Sequence, residues 1–174
     1  MDWAAVARRD GYAHRQSLID TSLIATLRAA VLASIARHGA ENVVAVQCDV
    51  MALDAVGTLR NDSGLMGALA EILGGRPFPI HADVLRIVPP GAAPTPPHKD
   101  ADYVARQPMW IAWLPLDDCP AELGPLVIWP SRAPRPLPCT PGDVIFFSSL
   151  TEHSTMPNTG PRLRLSIDFR YGAT

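Results

Sequence analysis

The chain has 174 residues, 48% of them hydrophobic and 18% charged, with a formal net charge of −2. That composition excludes a disordered chain, is long enough for one hydrophobic core, and gives neither nucleic acid nor an anionic membrane surface a field to bind. The three cysteines, Cys48, Cys119 and Cys139, are odd in number, widely spaced and without a CxxC pair, so neither a disulfide framework nor a structural zinc site is expected and a reducing cytosol is the natural compartment.

Taken in chain order, the first ten residues carry Asp2, Arg8, Arg9 and Asp10 with no apolar run behind them, which argues against a signal peptide. Asp20 or Thr21 can cap a helix whose apolar positions Leu23, Ile24, Leu27, Val31, Leu32 and Ile35 follow the i, i+3, i+4 spacing, with Gly39 as its stop. The apolar run 29–36 within it is broken by Ser34 and flanked by Arg28 and Arg37, too short to span a bilayer. A cytoplasmic protein is expected. Residues 43–53 are apolar and β-branched enough to predict a strand. A second helix is predicted over 63–73, with Leu65, Leu69 and Ile72 on one face and Gly74-Gly75 at its end.

After residue 76 helical periodicity gives way to short apolar runs at 85–88, 110–116, 126–129, 144–147 and 163–169, separated by Gly and Pro. This pattern predicts an antiparallel sandwich or barrel. Two proline clusters, Pro89, Pro90, Pro94, Pro96, Pro97 and then Pro130, Pro134, Pro136, Pro138, Pro141, read as stiff connections that can rim a pocket with little entropy to lose.

Five histidines exist, so metal candidates can be enumerated: His14, His38, His81, His98 and His153. His14 and His38 have no carboxylate at suggestive spacing and are read as surface residues. In His98-Lys99-Asp100 an extended backbone would point the imidazole and the carboxylate to one face, and His153 is the natural third ligand from a distant strand. Two histidines and a carboxylate form a facial triad with open positions, which suits non-haem Fe(II), although zinc uses the same ligand types. His81-Ala82-Asp83 repeats the HxD pattern seventeen residues earlier; it is read as the start of a strand leading to Arg86.

Residues 162–170 alternate, with Arg162, Arg164, Ser166, Asp168 and Arg170 on one face and Leu163, Leu165, Ile167 and Phe169 on the other. An arginine facing a barrel interior needs an anion, and the distal carboxylate of 2-oxoglutarate would serve Arg164 in a bidentate fork. A solvated face with an Arg162–Asp168 pairing is the plainer alternative. The single lysine, Lys99, stands against fourteen arginines; codon bias accounts for the ratio but not for the position.

The C-terminal half resembles the phytanoyl-CoA dioxygenase family of Fe(II)- and 2-oxoglutarate-dependent oxygenases. The matching residues are His98-Lys99-Asp100 with Tyr103, the strand from Trp110 to Asp118, Gly124-Pro125-Leu126-Val127-Ile128-Trp129-Pro130-Ser131, Pro141-Gly142-Asp143-Val144-Ile145-Phe146-Phe147, and His153 with Asn158 and Arg164. Asp10-Gly11-Tyr12 and the segment from Leu18 to Arg28 resemble the family's opening, while residues 40–75 are poorly covered. The chain departs from the family in carrying Pro130-Ser131-Arg132-Ala133 where Pro-Gly-Ser-His is usual, and in being short.

The resemblance implies a double-stranded β-helix (a jelly-roll, cupin-like barrel) with N-terminal helices packed on the major sheet. Residues 1–174 would be one oxygenase domain, 1–75 as helical support and 76–174 as barrel core. It implies Fe(II) on His98, Asp100 and His153, 2-oxoglutarate held by Arg164 and Thr155 with Trp113 as a wall, and dioxygen and a small molecule as the other reactants. Succinate and carbon dioxide would be the co-products. Asp100 supplies the carboxylate that halogenating relatives replace with a small residue, so hydroxylation or a related oxidation is expected. For the substrate, Arg86, Lys99 and Arg106 could recognise an anion unless paired with Asp83, Asp102 or Glu122, and Tyr103 and Trp129 could line an apolar pocket. A cupin-like metalloenzyme without 2-oxoglutarate, or a silent binding protein of the same fold, are the competing readings, and the direction of Arg164 separates the first from the oxygenase.

Overall fold

In the computed structural model, residues 2–80, 83–103, 109–129 and 133–174 are described. The chain opens with α1 (Trp3–Asp10), capped by the Asp2 carboxylate, which accepts from the Ala4 and Ala5 amides. Gly11 ends it at φ 78°, and an added Cβ there would collide with Thr151 Oγ1, so the sharp turn into β1 (Tyr12–Arg15) requires glycine. This strand was not foreseen in the helical N-terminal portion; it forms the edge of the major sheet.

Helix α2 (Thr21–His38) starts at the expected Asp20 cap and ends before Gly39. The predicted strand over 43–53 is instead helical, as α3 (Val43–Met51) followed by α4 (Asp54–Arg60). The Asn42 side chain accepts from the Ala45 amide, and Val46 and Val50, one helical turn apart, are fully buried. Burial of that i, i+4 pair outweighs the β-propensity of the valines. Helix α5 (Ser63–Leu73) keeps its predicted bounds, capped by Asp62 and closed by Gly74 at φ 68°. No helix among the described residues is long and apolar enough to cross a membrane.

Eight further strands follow: β2 (Pro77–Pro79), β3 (Val84–Val88), β4 (Trp110–Pro115), β5 (Leu126–Ile128), β6 (Arg135–Leu137), β7 (Val144–Ser148), β8 (His153–Thr155) and β9 (Arg164–Ala173). The major sheet runs β1-β7-β4-β9, and the long β9 pairs with both β2 and β3 at its far edge. The minor sheet is β6-β5-β8, and the pairs are antiparallel throughout. The architecture is a jelly-roll barrel with helices on the outside of the larger sheet.

Period-two alternation divides the buried residues between two layers. Trp110, Ala112 and Leu114 of β4, Val144 and Phe146 of β7, and Leu165, Ile167, Phe169 and Tyr171 of β9 pack with Leu27, Leu59, Leu65, Leu69 and Ile72 of the helices. Ile111 and Trp113 of β4 and Ile145 and Phe147 of β7 face the other way and meet Leu126 and Ile128 of the minor sheet. On β9 the alternate positions are Arg164, Ser166, Asp168 and Arg170, all buried. The barrel therefore has one polar wall.

Candidate active site

The metal-ligand geometry begins with a backbone bridge. His98 and His153 lie opposite each other, each amide donating to the other's carbonyl at 2.9 Å, and their ring centroids are 4.2 Å apart. Asp100 opens a 3₁₀ turn (Asp100–Asp102) immediately after, which brings its Oδ1 to 3.6 Å from Nε2 of both histidines. Among the described residues, these three form the one cluster of three or more His, Cys, Asp or Glu with donor atoms mutually within 4.8 Å.

Hydrogen bonds behind the cluster set its donor atoms. Nδ1 of His98 lies 3.0 Å from the Pro96 carbonyl and Nδ1 of His153 lies 3.1 Å from that of Thr151. A carbonyl can only accept, so each Nδ1 carries the proton and each Nε2 presents its lone pair to the centre. Burial pushes the His153 imidazole below its ordinary value, which keeps it in the neutral, ligating form. Arg170 Nη2 donates to Asp100 Oδ2 at 3.1 Å, leaving Oδ1 turned to the histidines. Two imidazole nitrogens and one carboxylate oxygen are a donor set that fits Fe(II) with positions left open.

A narrow cavity adjoins the cluster, lined by His98 and His153 together with Trp113, Thr155, Arg164 and Asp168 among others. Arg164 is 4% exposed, and its Nε and Nη1 have no hydrogen-bond partner among the described residues. Burial lowers its affinity for the proton, the signature of a cation held out of water without an adequate counter-charge. An anion with a planar carboxylate would satisfy those donors.

Sequence comparison agrees with this arrangement. The family model of phytanoyl-CoA dioxygenase (PhyH) matches residues 7–132, a span that includes His98, Asp100 and Trp113. The chain belongs to the phytanoyl-CoA dioxygenase family. The match ends before His153, Thr155 and Arg164, so within this PhyH chain the placement of those three stands on geometry. No curated protein matches the sequence.

Solved structures share the PhyH chain's fold at low identity. The epimerase SnoN in complex with Fe3+, alpha ketoglutarate and nogalamycin RO is 20% identical, with a TM-score of 0.83 over 98% of this chain and 82% of that one. The non-heme alpha ketoglutarate dependent carbocyclase SnoK from nogalamycin biosynthesis is 16% identical, with a TM-score of 0.80 over 97% and 81%. CytC3 with Fe(II) and alpha-ketoglutarate is 16% identical, with a TM-score of 0.78 over 98% and 76%.

The remaining sequence-predicted residues divide into two groups. Trp113, 3% exposed, lies with its ring 5.8 Å from the Arg164 guanidinium carbon. Thr155 Oγ1 accepts from the Thr95 amide at 2.9 Å, which leaves its own proton to donate. Arg86 lines the cavity and is paired with Asp168, not Asp83, at 3.1 Å. Tyr103, 77% exposed, sits edge-on to His98 at 5.9 Å, at an outer mouth that Arg86 and Arg170 also line. Lys99 and Trp129 are not brought to this cavity. They line a separate groove with Trp110 and Leu150, because Lys99 alternates away from the two ligands that flank it and Trp129 is turned to donate to Ser154 Oγ. Arg106 and His81 lie outside the described residues.

Other pairings are set by the fold, and the second HxD motif leads into β3 and Arg86 as expected. Asp83 of the second HxD motif is engaged by Arg60. His14 and His38 do have carboxylate partners, Asp143 at 3.1 Å and Asp49 at 2.9 Å, supplied by other elements of the fold. Arg162 pairs with Asp117 and not Asp168. Sequence reasoning also missed the role of Arg170 on Asp100, of Phe147, whose ring lies tilted with its centroid 4.5 Å from that of His153, and of Asp168 holding Arg86. The alternation along β9 places Arg170 and Asp168 beside Arg164, and that signal was available.

Proposed function

We propose that the chain is an Fe(II)- and 2-oxoglutarate-dependent oxygenase, a single domain over residues 1–174, that hydroxylates or otherwise oxidises a C–H bond of a small molecule. The observation that carries this is Arg164, a buried guanidinium whose Nε and Nη1 have no partner among the described residues, in the cavity that His98 and His153 of the metal-ligand cluster also line. When bound, iron with 2-oxoglutarate and dioxygen supplies the oxidising chemistry, with succinate and carbon dioxide as co-products.

The chain's own residues then have separable tasks. His98, Asp100 and His153 hold the metal, and the carbonyls of Pro96 and Thr151 fix the tautomers that allow it. Arg170 holds Asp100 in its ligating orientation. Arg164 binds the distal carboxylate of the co-substrate, Thr155 donates its hydroxyl proton to it, and Trp113 and Phe147 exclude water. The substrate enters past Tyr103 and Arg86, the residues at the mouth. The carboxylate of Asp100 would take the place on the metal that a halide needs, which favours oxygen transfer over halogenation.

Anaerobic titration of the purified protein with Fe(II) and then 2-oxoglutarate tests this reading. Chelation of the metal by a keto acid gives a weak visible charge-transfer band. The band is expected in the wild type, lost in His153→Ala and weakened in Arg164→Ala. Iron binding without a band would shift the assignment to a metalloenzyme that does not use 2-oxoglutarate, and no iron binding would overturn it. Because fold relatives include an epimerase and a carbocyclase, substrate screens should score stereochemical inversion and ring closure alongside hydroxylation.

A further inference from the structure

Cys119 and Cys139 flank the β5–β6 hairpin, one before β5 and one after β6. The backbone sets them opposite each other: Cys119 N donates to Cys139 O at 2.8 Å, and Cys139 N to Cys119 O at 3.3 Å. In a hydrogen-bonded antiparallel pair of this kind the Cα atoms lie about 5.5 Å apart, inside the roughly 4.4–6.8 Å that a disulfide spans. Both residues are buried, yet both line a surface groove with Asp118, Pro138, Thr140 and Arg162, so a small oxidant can reach them. Neither belongs to the metal cluster, and both are free thiols.

We propose that Cys119 and Cys139 form a redox site that a peroxide oxidises to a disulfide and a small thiol reduces again. Cys119 is the attacking sulfur. The neighbouring Cys139 thiol holds that of Cys119 below the ordinary value, with burial opposing and the charges of Arg164 and Arg162 adding, while Cys139, beside Cys119 in the same buried site, is pushed up. The Cys119 sulfur attacks one peroxide oxygen and the O–O bond breaks. A sulfenic acid forms, and the departing hydroxide leaves as water with the thiol proton. The Cys139 sulfur then displaces the sulfenic hydroxyl, which takes the second thiol proton and leaves as water. Two thiols thus give up two electrons and two protons, and one peroxide becomes two waters. The new bond closes the chain around β5, the strand that carries Leu126 into the cavity and pairs with β8, the strand of His153 and Thr155.

The test uses the full chain carrying Cys48→Ser, since Cys48 is exposed and would otherwise react. Metal-free protein in chelator is treated with equimolar hydrogen peroxide, quenched in acid, unfolded and alkylated with N-ethylmaleimide. Intact mass should show two adducts before oxidation, none after it and two again after dithiothreitol. Peptide mapping should join Cys119 to Cys139, and Tm should rise by about 5–10 °C on oxidation. Two adducts persisting after peroxide, thiols lost to higher oxides without a cross-link, or a cross-link between chains would each overturn the proposal. No cysteine of the pair is altered, so a folding defect cannot mimic either result.

Discussion

The two faces of β9 are buried to the same depth and carry opposite chemistry. Towards the helices it presents Leu165, Ile167, Phe169 and Tyr171, each no more than 1% exposed; towards the barrel interior it presents Arg164, Ser166, Asp168 and Arg170, each no more than 6% exposed. The apolar face stabilises the fold, with each buried side chain worth roughly 1.5–3 kcal/mol. The polar face does the reverse, because a buried donor without a partner costs about 1–3 kcal/mol, and Arg164 and Ser166 contribute three such atoms among the described residues. One strand thus separates the layer that makes the protein fold from the wall that gives it something to bind.

That division can be broken most sharply at Arg164. Arg164→Met should lower 2-oxoglutarate affinity by about 30- to 1,000-fold, the cost of removing one partner of a desolvated charge pair, read from the charge-transfer titration. The same change should raise the stability of the ligand-free protein by about 1–3 kcal/mol in urea unfolding, since an apolar side chain replaces a buried guanidinium with two nitrogens unpartnered among the described residues. A loss of stability instead would mean that Arg164 is structurally satisfied and the two faces are not opposed.

Leu69→Ala is the mirror experiment on the helix side. Leu69 is fully buried in that layer, and its truncation should cost about 2–5 kcal/mol of stability. Iron affinity of the folded fraction should not change. A smaller effect is expected at Arg170, which donates to Asp100 Oδ2. Arg170→Met should weaken iron binding by about 10- to 100-fold, typical of a group that orients a ligand, and Arg170→Lys should recover part of the loss if orientation of Asp100 is its role.

Legibility in the sequence follows the same division. Two members of the His98–Asp100–His153 cluster could be read because HxD sets them by local spacing alone, and α2 and α5 because their caps and apolar spacing agree. The barrel was legible as a class from its short apolar runs, but β2, β6 and β8, with three residues each, are too short to show alternation. Residues 43–53 misled because valines favour a strand locally, while Val46 and Val50 are claimed by the helix-side core. Long-range pairings left no local trace at all: His14 with Asp143, Arg86 with Asp168, and Cys119 with Cys139 depend on register between distant strands. Lys99 is a candidate through its ligand neighbours and Trp129 as an aromatic that could line an apolar pocket, and alternation carries both away.

The smallest expected effect sharpens the comparison at the outer rim of the helix layer, where charges are paired at the surface and not buried bare. Asp49 on α3 accepts from Arg37 at 2.7 Å, His38 at 2.9 Å and Ser34 at 3.0 Å, all on α2. Arg37 foremost, then His38 and Ser34, hold its carboxyl down to about 2 from the ordinary 3.8. A carboxylate whose value is lower in the folded state stabilises that state above the unfolded value, and the contribution disappears as pH falls through the folded one. The clamp between α2 and α3 is therefore intact above pH 4 and released as pH falls towards 2. Asp49→Asn should lower the urea midpoint slightly at neutral pH and flatten its dependence between pH 4 and 2 relative to wild type, with no change in iron affinity. Equal slopes in the two proteins would show that solvent screens the cluster completely, and that stability on the helix side rests on its apolar contacts alone.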